Sequence, residues 1–442
     1  MRKLLVIASL ALFAVISCCK QPASEVTIKA DPVIAGALAQ VSADSIETYI
    51  NDLVAFHTRH NLSTQTDPER GIGAAVNYLV DKCEYWAENA SPDRPMPVVE
   101  VIRYDAGGPG SRLGREVNLP CVMVTLPGTI GSGEIILMAH IDTRVADNND
   151  STSFAPGAND DASGMACLLE TARIVSQIPL EQTIKCLFVS GEEHGLLGSQ
   201  AVAKIAKEEG WPILAVINND MISNAVSSET NLETIDMVRV FSDSPRGEDS
   251  DARQWARYIK ECAATYVPGH EVKLMYRNDR YRRGGDHTSF TNEGFVAVRM
   301  SEYYENYDRT HQLVREENGI AYGDVISGLS VPYLVKNIRV NMAAAMSLAS
   351  APAKPEGARI ANANDLSNYT VLSWRAVADP GAHYEVLYRE TDQPVWKVYG
   401  SYEYDPSAQL QTAKFPLSKD NYFYAVRSVS EGGHPSLPSV CR

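Results

Sequence analysis

The sequence predicts an α/β fold, with a mainly parallel twisted sheet sandwiched by helices, followed by an all-β sandwich. Three features lead to this reading. Between residues 44 and 350, apolar and β-branched runs alternate with stretches of helical periodicity, the pattern of strands joined by crossover helices. At 351–355 the composition changes to a Pro-punctuated linker. Over 356–442, short aromatic and β-branched segments recur between turn residues, as in an antiparallel sandwich. A chain of 442 residues exceeds the usual size of one domain, in keeping with two units.

The net charge is −15, from 40 basic and 55 acidic side chains. That balance argues against nucleic acid or an anionic membrane surface as a partner. Residues 1–17 have the form of a signal peptide: Met1-Arg2-Lys3 is positive, and the apolar stretch from Leu4 to Ile16 is short for a membrane span. The segment ends in Val15-Ile16-Ser17-Cys18, which resembles the lipobox of bacterial lipoproteins. The resemblance implies lipidation of Cys18 and an exported protein anchored to a bacterial membrane, facing the periplasm or the cell exterior. An ordinary secretory signal is the alternative, and it also implies export. Residues 18–43 are polar and read as a tether. The eight cysteines form no CxxC and no regular spacing, so neither a zinc finger nor a disulfide framework is expected.

Along the chain, apolar spacing predicts helices over 45–56 and 72–90. His57, Arg59 and His60 lie just past the first and read as a surface turn. Strands are expected at 97–103, 121–126 and 134–140, the last a pure buried run. A loop rich in Asn, Asp and Ser spans 146–161, and a helix follows over 162–178. Next come a strand at 184–189, a helix at 196–209 and strands at 213–217 and 237–241. A helix at 251–266, strands at 271–276 and 296–300, and a helix at 331–350 complete the first unit. The second unit has strands at 369–374, 384–389, 396–399 and 422–427. With Trp374 on an early strand and Tyr384-Glu385-Val386-Leu387-Tyr388-Arg389 on the next, it resembles a fibronectin type III domain. No catalytic constellation is visible there, and an unidentified partner for the sandwich is left open.

Acidic and histidine clusters fall at the predicted strand ends, where open α/β sheets place ligands. His140-Ile141-Asp142 ends one strand, and an Asp two residues after a His can fix the imidazole tautomer while the other nitrogen binds a metal. Gly157-Ala158-Asn159-Asp160-Asp161-Ala162-Ser163-Gly164 places Asp160 where a tight loop enters a helix, although a plain N-cap would also use Asp there. Glu192 and Glu193 follow the strand 184–189 at a Gly-rich turn. One such carboxylate can hold a metal while its neighbour moves a proton. Asn218-Asn219-Asp220 ends a further strand, and Asp286-His287 and His311 lie in later loops. Singly, each reads as a turn or a cap. At equivalent places in one α/β unit they read as a single site.

These motifs, in this order, resemble family 28 of the metallopeptidases, the di-zinc exopeptidases that include bacterial aminopeptidases and glutamate carboxypeptidase II, with the glutaminyl cyclases as relatives. The resemblance covers about 44–350. It implies two Zn²⁺ per chain, one on His140 and Asp220, the other on Glu193 and His311, with Asp160 bridging them. It implies Glu192 as the general base, Asp142 in support of His140, and Asp286 and His287 shaping the site without binding metal. His311 stands where that family has a Tyr-His-Thr ligand, although Thr310 and Gln312 flank it here. His194 is expected to be neither ligand nor base. The implied activity is hydrolysis of a terminal bond of a peptide substrate by a two-zinc-activated water, as an aminopeptidase. Two other readings stay open: a single-zinc acyltransferase like the glutaminyl cyclases, and a non-catalytic binding lipoprotein. The Glu192–Glu193 pair with His140 favours the two-metal hydrolase.

Overall fold

The computed structural model describes residues 28–245, 249–376 and 383–442. Cys18 and the signal segment 1–17 lie outside the described residues. Part of the segment expected to be a tether is folded. Helix α1 (Pro32–Leu38) starts on Asp31, whose carboxylate accepts from the Val33 and Ile34 amides. Proline suits the first helical position because its missing N–H would have no partner there. Ile34, Ala37 and Leu38 are buried at the spacing of one helical face, and Ile28 is buried before them. The tether reading therefore fails over 28–43.

The chain continues through α2 (Ala43–Ala55), α3 (Gly71–Glu88), β1 (Val98–Gly107), β2 (Glu116–Leu126), β3 (Glu134–His140), α4 (Ala162–Val175) and β4 (Thr183–Val189). Then follow α5 (Leu197–Glu209), β5 (Ile213–Asn219), β6 (Met237–Ser242), α6 (Asp251–Tyr266), β7 (Glu271–Met275), α7 (His287–Asn292) and β8 (Ala297–Glu302). A small hairpin, β9 (Arg315–Glu317) and β10 (Ile320–Tyr322), precedes α8 (Val331–Ala349). Strands β1 to β8 form one sheet in the order β1-β2-β4-β3-β5-β8-β6-β7. The central run β4-β3-β5-β8 is parallel. The flanks make the sheet mixed, because β1, β2 and β4 pair antiparallel, as do β8 and β6.

Helices α2, α3, α4, α6 and α8 cover one face, and α5 and α7 the other. Every residue of β4 is buried, and so is all of β3 beyond Glu134. Continuous apolar runs follow from a sheet covered on both sides. The parallel centre brings the carboxyl ends of β3, β4, β5 and β8 to one edge, where the predicted site residues lie.

The second unit contains β11 (Glu356–Ile360), β12 (Thr370–Arg375), β13 (His383–Glu390), β14 (Lys397–Glu403), β15 (Leu410–Phe415), β16 (Tyr422–Val429) and β17 (Ser439–Cys441). These pair as two antiparallel sheets, β11-β12-β15 and β14-β13-β16-β17. Trp374, Tyr384, Val386, Phe415, Tyr424 and Val426 form the core between them.

This unit is docked firmly on α6. Trp396 Nε1 donates to Gln254 Oε1 at 2.8 Å, Tyr258 OH donates to the Pro435 carbonyl at 3.0 Å, and Arg427 lies between Glu261 and Glu385 at 3.0 and 2.7 Å. Leu437 joins the α/β core and lines one cavity with Gly133, Ile213 and Val296, at or just before the amino ends of β3, β5 and β8. The sandwich thus sits at the sheet edge opposite the site and does not cover it. Cys83, Cys121, Cys167, Cys186, Cys262 and Cys441 are free and buried. No described helix is long and apolar enough to cross a membrane.

Candidate metal centre

Four loops at the carboxyl edge converge on one pocket. His140 is the last residue of β3, Glu192 and Glu193 follow β4, Asp220 follows β5, and His311 sits in the loop after β8. Asp160 comes from the turn before α4. The N-cap of α4 is Asp161, whose Oδ1 accepts from the Gly164 amide at 3.1 Å and whose Oδ2 accepts from the His140 amide at 3.0 Å. With Asp161 serving as the cap, the neighbouring Asp160 carboxylate is free to face the pocket. Its Oδ1 lies 2.9 Å from His140 Nε2 and its Oδ2 3.0 Å from His311 Nε2.

Donor atoms of His140, Asp160 and Asp220 lie within 4.8 Å of one another, and so do those of Asp160, Glu193 and His311. Asp160 belongs to both groups. A third group of the same span joins His140, Glu192 and Glu193. Imidazole and carboxylate donors in sets of three suit zinc. Four carboxylates crowd one pocket here, and a cation would relieve their repulsion. The residues therefore fit the metal that the motifs imply. Burial, with Glu193, Asp220 and Asp286 adding to it, raises the Glu192 carboxyl well above its ordinary value against the pull of His140. Burial also works to lower His311, but Glu193 and Asp160 outweigh it and push the ring up to about 10.

The supporting contacts correct one expectation. The Asp142 carboxylate was expected to hold the His140 ring; the backbone carbonyl of Asp142 does so instead, accepting from Nδ1 at 2.9 Å, while the nearest carboxylate oxygen is 3.8 Å away. The carboxylate is engaged elsewhere. It accepts from the Glu192 and Glu193 amides, both at 3.1 Å, and from Asn61 Nδ2 at 2.6 Å. Asp142 thus ties the ends of β3 and β4 together and fixes the backbone of the glutamate pair.

The structure places Asp286 and His287 at the start of α7, outside the three ligand groups. Asp286 accepts from the Ser199 hydroxyl at 2.5 Å. His287 Nε2 lies 2.9 Å from the Asn278 carbonyl, buried away from the other donors. His194 is held by Asn61 and the Asn148 carbonyl and belongs to no ligand group.

Several supporting residues were not anticipated. Arg59 and His60, read as a surface turn, are buried. The Arg59 guanidinium donates to the carbonyls of Leu53, Ile141, Pro156 and Gly157 at 2.6 to 3.2 Å, so it clamps the loops that carry Asp142 and Asp160. Burial pulls its pKa down to about 10 against the neighbouring Asp324, Asp161, Asp142 and Asp160. Arg299, in the middle of β8 and fully buried, reaches Asp220 Oδ1 at 2.9 Å and Asp279 Oδ2 at 3.2 Å. Asp324 accepts from the Asn159 and Asp160 amides at 2.7 to 3.0 Å. Arg144 donates to Glu193 Oε2 at 2.8 Å, and its Nη2 lies 2.7 Å from His311 Nδ1. Arg299 had a sequence signal, a charge inside the apolar run 296–300. Arg59 had none, because its partners are carbonyls scattered over a hundred residues.

Residues 121–319 match the family model of peptidase family M28. A probable zinc metalloprotease of Pyricularia oryzae is 36% identical over 430 residues, covering 92% of this chain and 84% of that protein. Among solved structures, the LapA aminopeptidase of Legionella pneumophila superposes with a TM-score of 0.56 at 22% identity, over 74% of this chain and 77% of its own. The glutaminyl cyclase of Porphyromonas gingivalis gives a TM-score of 0.50 at 19% identity, over 69% and 97%. These structural likenesses extend to the fold.

Proposed function

Because this chain belongs to peptidase family M28 and is a zinc-dependent peptidase, we propose that it is an exopeptidase of the aminopeptidase kind, holding two Zn²⁺ and working outside the cytoplasm. The observation that supports this reading is Asp160, which is shared by two groups of three side chains able to hold a metal. His140 and Asp220 would hold one ion with it, and Glu193 and His311 the other. When bound, zinc supplies the Lewis acidity that polarises a carbonyl and makes water a competent nucleophile at neutral pH.

The chain's own residues supply positioning and proton transfer. The Asp142 carbonyl accepts a hydrogen bond from His140 Nδ1, which leaves Nε2 facing Asp160. Arg299 fixes the Asp220 carboxylate from below. Glu192 lines the pocket and is only partly buried. A carboxylate so placed can accept a proton from the attacking water and pass it to the departing amine. Export and lipidation at Cys18 are part of this proposal and rest on the expectation from residues 1–18.

Glu192→Gln tests the proposal. Turnover of aminoacyl p-nitroanilides should fall about 10²- to 10⁴-fold, the usual span for a lost general base, while metal analysis still finds two zinc ions per chain. Retained activity would remove Glu192 from its role. The competing cyclase reading has its own signature, one tightly held zinc and cyclisation of N-terminal glutamine. The two ligand sets sharing Asp160 favour the hydrolase, since a single-zinc site has no use for both.

A further inference from the structure

The cleft over the ligand residues encloses about 370 Å³, room for one or two amino-acid residues. Its lining is unusual for a chain of net charge −15. Arg112, Arg144, Arg280, Arg282 and Arg283 all face it, and among the described residues the apolar side chains are only Leu196 and Met221. The four acidic side chains in the wall, Asp160, Glu192, Glu193 and Asp220, are those assigned to the metals and to proton transfer. Two divalent cations would balance the charge of these four carboxylates.

The local pairing does not absorb the charge of the arginines. Arg144 is engaged by Glu193. Arg280 and Arg283 share one carboxylate, Glu305, at 3.0 and 2.6 Å, and Arg239 reaches the same carboxylate at 2.8 Å. Arg280 also reaches Asp279 at 3.0 Å, and Arg299 takes the other oxygen of that carboxylate at 3.2 Å, so Arg239, Arg280, Arg283 and Arg299 share Glu305 and Asp279, and the rim stays positive. Arg282 is exposed, at a left-handed φ of 54°, and has no ion pair or hydrogen bond among the described residues. Arg112 makes one long contact, 3.4 Å to Asn148 Oδ1. A guanidinium presents a planar fork of donors that matches a carboxylate.

We infer that the pocket selects substrates carrying a carboxylate beside the scissile bond, with Arg282 and Arg283 as its recognition residues. This rests on the peptidase reading above. The carboxylate has two possible sources, the side chain of an acidic residue being released or the terminal carboxylate of a short peptide.

The test uses the zinc-loaded full chain and measures kcat/KM on matched pairs. Glu-p-nitroanilide against its neutral isostere Gln-p-nitroanilide reports on the side chain. The dipeptide Leu-Gly against Leu-Gly-amide reports on the terminal carboxylate. The charged member of at least one pair should be preferred about tenfold or more, since a site built for a polar group rejects the analogue that lacks its partner. Arg282→Gln combined with Arg283→Gln should bring that ratio toward one, and raising salt from 0.05 to 0.5 M should reduce it in the wild type. Ratios near one for both pairs, with Leu-p-nitroanilide still cleaved, would overturn the inference and leave the peptidase reading intact. No cleavage of any of these substrates would sink both.

Discussion

Arg299→Leu is the most informative single change in the fold. Arg299 is fully buried and joins Asp220, a proposed ligand, to Asp279, which belongs to the loop entering the pocket. Burial disfavours its charge, yet Asp220 and Asp279 outweigh that and hold the guanidinium protonated. Leucine would leave two buried carboxylates without this partner, and breaking a buried pair from one side costs about 3–5 kcal/mol. At roughly 2 °C per kcal/mol for a large folding unit, the melting temperature should fall by about 6–10 °C.

The same change frees Asp220 to turn, so zinc affinity should weaken by about 10–100-fold, the usual effect of losing a partner that orients a ligand. Differential scanning calorimetry and competition with a chelating dye measure the two effects. Adding Asp279→Asn should recover part of the stability, because one of the stranded charges is removed, while leaving the affinity defect in place. A variant that melts within 1 °C of wild type and keeps its zinc affinity would refute the role given to Arg299.

Three further outcomes are expected. His311→Ala should lower the zinc content of the purified protein, whereas His287→Ala should not, and the opposite pattern would show that the ligand histidine was misassigned. Burial favours protonation of Glu305, but Arg280, Arg283 and Arg239 override it and hold the carboxyl at about 2 against an ordinary 4.5. That shift corresponds to roughly 3 kcal/mol of stability, present above about pH 4.5 and lost as the pH falls through 2. Glu305→Gln should lower stability at pH 7 and flatten its decline between pH 5 and 2, as followed by urea unfolding. Arg427→Ala should weaken the junction between the two units by about 3–5 kcal/mol, because Glu261 and Glu385 lose a buried partner. Faster proteolysis at 351–355 would report it, and unchanged cleavage would show that the interface does not depend on this arginine.

What could be read from the sequence divides along a physical line. Strands β3, β4, β5 and β8 were legible because a sheet covered on both faces demands unbroken apolar runs. His140, Asp160, Glu193 and Asp220 were legible because each lies where such a run ends or the next element begins, whereas His311, in the loop after β8, was reached only through the family resemblance. The sheet's mixed pairing was not, since an apolar strand is equally apolar in either direction and only its connections decide. Helix α1 was missed because its short face, Ile34, Ala37 and Leu38, is diluted by small residues. The division of Asp160 from Asp161 also needed coordinates: either side chain can cap a helix, and the amides of His140 and Gly164 identify Asp161 as the one that does. Strands β11, β15 and β17 of the sandwich lacked the aromatic pattern that marked the others.

The direction of the central strands gives the molecule two poles. Asp31 bonds His434 of the sandwich at 2.9 Å and lines a recess with Thr129, Leu180 and Glu181, just before the amino ends of β3 and β4. The first described residues and the sandwich therefore share one pole, and the pocket opens at the other. A molecule held to a surface by its amino-terminal segment would stand with the sandwich toward that surface and the pocket mouth outward. Peptides would then reach the pocket from bulk solvent without entering the gap between protein and surface.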